Sequence, residues 1–88
     1  VKSANLTGAA AHLASHCELK KVVEMDGQFF IYFRFDKDGE HLAMNESARK
    51  KMANALYDLL GDSIQGKCLT VSWYKEGDYP RYFHSIWR

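Results

Sequence analysis

The chain has 88 residues, a formal net charge of +1, 47% hydrophobic residues and 26% charged ones. That suits one domain with a modest core and is too apolar for disorder. The near-neutral balance also excludes the strong basic excess of a dedicated duplex-DNA binder. No apolar run approaches the length of a membrane span, and no charged stretch leading into an apolar one opens the chain, which starts on Val1 as a trimmed product would. A single small α+β domain over residues 1–88, with no membrane partner, is the expectation.

Thr7 followed by Gly-Ala-Ala-Ala-His-Leu-Ala-Ser-His predicts a short helix with Thr7 as N-cap. Leu6, Ala10, Leu13 and Cys17 recur at helical spacing as its apolar face. Two strands follow, joined by Met25-Asp26-Gly27 read as a three-residue loop with Gly27 in the left-handed position. That register pairs Val23 with Phe29, Lys21 with Ile31, Leu19 with Phe33 and Glu18 with Arg34. Residues opposite one another share a face, so Leu19, Val23, Phe29, Ile31 and Phe33 go inward. Glu18, Lys20, Val22, Glu24, Phe30, Tyr32 and Arg34 go to the other side.

Asp36-Lys37-Asp38-Gly39-Glu40 repeats the turn pattern and predicts a short third strand from His41 to Met44, with Gly39 again left-handed. Asn45 then caps a long helix, with Glu46 well placed in its first turn. Its apolar stripe is Ala48, Met52, Ala55, Leu56, Leu59 and Leu60, and Gly61 ends it. Lys67–Tyr74 and Arg81–Trp87 predict a second hairpin around Lys75-Glu76-Gly77-Asp78-Tyr79-Pro80. Leu69, Val71 and Trp73 alternate cleanly. The last strand can be placed two ways, with Phe83 and Trp87 inward or with Tyr82, His84 and Ile86 inward. The order is α-β-β-(β)-α-β-β, a single antiparallel sheet of four to five strands with helices on one face.

Candidate chemistry is sparse. His12 and His16, four apart, share a helix face, but zinc needs further ligands, and Cys17 points about 100° away from His16 on an ideal helix. Two solvated histidines are the simpler reading, and no metal or cofactor is expected. Asp36, Asp38 and Glu40 alternate as in a calcium loop, but Ser47 stands where the bidentate Glu belongs, so a turn explains them. No nucleophile motif or Gly-rich phosphate loop appears, which argues against an enzyme without excluding a small one that lacks a recognisable motif. Cys17 and Cys68 read as free thiols of a cytoplasmic protein.

Binding is better represented. The final 22 residues hold half of the chain's aromatic residues, interleaved with Lys75, Arg81, His84 and Arg88. Phe30, Tyr32 and Arg34, with Lys20 opposite Tyr32, form an aromatic and basic row of the kind on which single-stranded bases stack. Tyr74, Arg81 and Tyr82 extend that chemistry into the second hairpin. Arg49 and Lys50 form a basic cluster at the start of the long helix, where cations meet an unfavourable dipole. Such a surface suits a non-catalytic binding module that contacts another protein or pairs with itself as a homodimer. Single-stranded nucleic acid is the alternative, placed second because the mild charge offers few phosphate contacts.

Overall fold

A computed structural model describes residues 6–88. Helix α1 (Gly8–Ser15) leads into strands β1 (Cys17–Met25) and β2 (Gln28–Phe35). A helical turn α2 (Glu40–Ala43), the long helix α3 (Glu46–Leu60) and a 3-10 turn (Gly61–Ile64) precede strands β3 (Cys68–Lys75) and β4 (Tyr82–Trp87). The four strands form one sheet in the order β1-β2-β3-β4. The α+β class and the α-β-β-α-β-β order hold, but the sheet is mixed. Strands β2 and β3 run parallel, from Gln28 opposite Cys68 to Phe35 opposite Lys75. The physical reason is the helix between them: α3 carries the chain back along the sheet, as a parallel crossover requires.

The first hairpin is tighter than the three-residue loop expected. Met25 pairs with Gln28 across a two-residue turn. Asp26 and Gly27 have φ of 53° and 74°, the doubly left-handed geometry whose twist matches paired strands. Val23 therefore faces Phe30 and Lys21 faces Tyr32, one step off the expected register. A bulge between Leu19 and Lys21 then takes up the extra residue and restores Leu19 opposite Phe33 and Glu18 opposite Arg34. Thus Val22 lies on the helix side and Val23 on the other, the reverse of the expectation.

The stretch expected as a third strand is the helical turn α2. Gly39 has a right-handed φ of −98°, so handedness does not explain it. Space does: a Cβ there would lie 3.0 Å from His16 Cβ and 3.2 Å from Phe35 Cβ. Asn45 caps α3 as expected, its side-chain oxygen accepting from the Ala48 N–H at 3.2 Å. Thr7 occupies the N-cap position of α1 but makes no side-chain cap bond.

One layer of helices covers one sheet face. Phe29, Ile31, Phe33 and Phe35 from β2 and Leu69, Val71 and Trp73 from β3 are buried against Ala10 and Leu13 of α1 and Ala48, Met52, Ala53, Leu56 and Tyr57 of α3. Leu59 is 55% exposed and drops out of the expected stripe, while Ala53 and Tyr57 enter the buried side of α3. Of the two placements of β4, Tyr82, His84 and Ile86 face the helices opposite Trp73, Val71 and Leu69. Leu19 and Val22, on the edge strand β1, remain 50% and 52% exposed because the helical layer stops short of them.

A candidate protein-docking face on the open side of the sheet

Among the described residues no helix lies over the other sheet face, and the strand register orders its side chains into four rows. The first runs Met25, Gln28, Cys68, Trp87; the second Val23, Phe30, Thr70, Ser85; the third Lys21, Tyr32, Ser72, Phe83. The fourth begins Glu18, Arg34, Tyr74 and ends at the Arg81 side of the β3–β4 loop. Small residues on β3 (Cys68, Thr70 and Ser72) separate two aromatic ridges, Phe30 with Tyr32 and Phe83 with Trp87. Ser72 is only 4% exposed, in register between the larger Tyr32 and Phe83 of the neighbouring strands. The Thr70 and Ser85 hydroxyls bond to each other at 2.9 Å. Trp87 is 81% and Phe83 51% exposed, so this face presents large apolar surface to solvent.

Charge gathers at one end, where both arginines are paired with carboxylates. The Arg34 guanidinium lies 2.6 Å from Glu18 and 2.9 Å from Glu76. Glu76 first, then Glu18, pushes its pKa above the ordinary arginine value. Arg81 sits 2.8 Å from Asp78, whose carboxyl its hydrogen bond holds below the ordinary carboxylate value. Lys20 lies 3.7 Å from Glu18. Lys20, Lys21, Tyr32, Tyr74, Asp78 and Pro80 line a shallow cleft at this end.

The residues singled out from the sequence therefore divide. Phe30, Tyr32, Arg34, Lys20 and Tyr74 gather on the open face, with Arg81 at its rim. Tyr82, Arg49 and Lys50 lie on the helix side. Tyr82 donates its hydroxyl to Glu40 at 3.0 Å, and burial first, then this bond, raises its pKa. Arg49 stands 5.7 Å from the Tyr82 ring centre and donates to the Ala43 and Phe83 carbonyls at 2.6 and 3.3 Å. Those bonds tie α3 to β4 and give Arg49 a structural task. Lys50 is exposed on α3. The face also holds Val23, Met25, Lys21, Phe83 and Trp87, which sequence reasoning did not assign to it. The doublet Asp26-Gly27 carried the signal for the first three, since a two-residue turn moves Val23 and Met25 across. For Phe83 and Trp87 the alternation was visible but its phase was not.

The second concavity, about 540 Å³, lies at the end of α1 and is lined by His16, Cys17, Glu18, Arg34, Asp36 and Lys37 among others. Burial, reinforced by Asp36, pushes the Cys17 thiol up to about 12, which leaves it a poor nucleophile at neutral pH. Cys17 faces Phe35 while Cys68 faces Gln28, at opposite ends of β2. Seven strand residues at about 3.3 Å each separate them by roughly 23 Å, too far for a bridge within one chain. No described helix is long and apolar enough to cross a membrane.

No protein-family model, curated protein or solved structure matches this chain.

Proposed function

We propose that this protein is a non-catalytic binding module that docks another protein on its open sheet face, with a second copy of itself as the partner. One observation carries the choice of a protein over nucleic acid. The cation at the head of the aromatic rows, Arg34, is already held between Glu18 and Glu76. A phosphate would have to displace two carboxylates to reach it, and the salt-driven affinity of single-strand binders depends on cations free to make that contact. Apart from Lys21 at the β1 edge, the remaining rows are aromatic, aliphatic and neutral, the composition of an interface centre.

The sheet edges support the face as the contact. β1 carries a bulge at Lys20 and the charges of Glu18, Lys20, Lys21 and Glu24, features that discourage strand addition. At the other edge Arg49 occupies the Phe83 carbonyl, and Arg88 bonds Asp58 at 2.6 Å and Asn54 at 2.8 Å, drawing the end of β4 onto α3. Self-pairing about a twofold axis would bury the aromatic rows of two copies against each other. The elevated Cys17 pKa and the wide separation of the cysteines agree with a non-catalytic protein of a reducing compartment such as the cytoplasm.

Sedimentation equilibrium together with oligonucleotide retention tests the reading. The parent should dimerise reversibly, Tyr32→Ala and Phe83→Ser should shift it toward monomer, and neither should retain oligonucleotides. A monomeric parent that binds single strands at micromolar concentration, with Tyr32→Ala costing about 1–3 kcal/mol of that binding, would replace it with the stacking alternative. A monomer that binds no oligonucleotide would remove self-association and leave the face to a different protein.

A further inference from the structure

Helix α1 ends on the two histidines that its sequence spacing puts on one face, and the fold adds a third group that spacing does not show. The His12 and His16 ring centres stand 5.5 Å apart. His16 Nδ1 lies 2.9 Å from both carboxylate oxygens of Asp36. A carboxylate accepts, so in the neutral ring the proton sits on Nδ1 and the lone pair on Nε2. Asp36 is itself fixed in place: its Oδ1 accepts from the Asp38 N–H at 3.0 Å, its N–H donates to the His16 carbonyl at 3.0 Å, and its carbonyl accepts from the Gly39 N–H at 2.9 Å. The absence of a side chain on Gly39 lets this turn close on His16. A carboxylate that holds one imidazole nitrogen and leaves the other free is the usual support of a metal-ligating histidine.

The ring separation fits as well. Two imidazoles bound to one ion at about 2.1 Å, at a tetrahedral angle, have centres roughly 5 Å apart, close to the 5.5 Å found here. We propose that His12 and His16 form a two-imidazole site for a divalent transition ion of the zinc, copper or nickel class, with Asp36 orienting His16. Imidazole suits these ions, and water completes the coordination. Among the described residues no group of three or more His, Cys, Asp or Glu is arranged around an ion, so this is an exchangeable surface site and not a structural one. It belongs to the helical layer, and its occupancy is independent of what docks on the open sheet face.

Calorimetric titration of zinc chloride into the full chain tests the site. One zinc per chain should bind, at least tenfold more weakly in His12→Ala and in His16→Ala. Asp36→Asn should weaken binding about tenfold, the usual cost of losing a supporting carboxylate. His41→Ala and His84→Ala should leave it unchanged. With copper in place of zinc, electron paramagnetic resonance should show two nitrogen ligands in the parent and one in His12→Ala. His12 is exposed, so its variant keeps the test valid if His16→Ala misfolds. A folded parent that takes up no zinc, a His12→Ala that binds as the parent does, or a copper spectrum without two nitrogens would overturn the proposal.

Discussion

Truncating Ile31 to alanine probes the fold where the sheet meets the helices. Ile31 is 4% exposed, between Val22 on β1 and Val71 on β3. The change removes three carbons, worth about 0.8 kcal/mol each in lost burial, or about 2.4 kcal/mol. A residual cavity of roughly 40 Å³ adds about 1 kcal/mol, for about 3–3.5 kcal/mol in all. In a domain of this size that lowers Tm by roughly 12–28 °C. The internal control is Val22→Ala, on the same face but 52% exposed, which should cost less than about 1 kcal/mol. Urea unfolding of both variants measures the difference. An Ile31→Ala loss below about 1 kcal/mol, or equal losses at the two positions, would refute the assignment of the buried face.

Asn45→Ala removes the bond to the Ala48 N–H and should cost about 1 kcal/mol in the same assay. Gly27→Ala forces a side chain into a φ of 74° and should cost about 1–2 kcal/mol. Burial, then Arg49 and Lys50, lowers the His84 pKa below its ordinary 6.5, so the folded state keeps this ring neutral. Its contribution is fully present above 6.5 and is lost as pH falls through the lowered value. Stability should therefore fall from pH 7 to 5, and His84→Gln should flatten that slope in pH-dependent unfolding; an unchanged slope would exclude the histidine as its cause.

Much of the fold was legible because local chemistry and periodicity agreed. The stripe of Ala48, Met52 and Leu56, the Asn45 cap and the alternation of Leu69, Val71 and Trp73 each point one way. What escaped depends on non-local geometry. The Asp26-Gly27 doublet favours a two-residue turn, but the compensating bulge at Lys20 leaves Leu19 opposite Phe33 under either reading, so the pairing farther along does not distinguish the two. The parallel pairing of β2 and β3 is decided by where α3 delivers the chain. The candidate site was half visible: Phe30, Tyr32 and Tyr74 announce themselves by type and spacing. The hairpin register already set Glu18 opposite Arg34, but Glu76, which completes the neutralisation of that cation, lies 42 residues away in sequence. The Asp36 support of His16, 20 residues on, was hidden for the same reason.

The central claim is that the open sheet face is the docking surface. Its most direct test is paramagnetic quenching of side-chain NMR signals by a soluble gadolinium chelate, followed as protein concentration rises. The account predicts that Met25, Phe30, Tyr32, Phe83 and Trp87 become shielded together, while Leu19, Val22, Met44 and Leu59, exposed elsewhere on the surface, stay quenched throughout. Shielding of the second group, or none of the first at concentrations where the protein is dimeric, would contradict it.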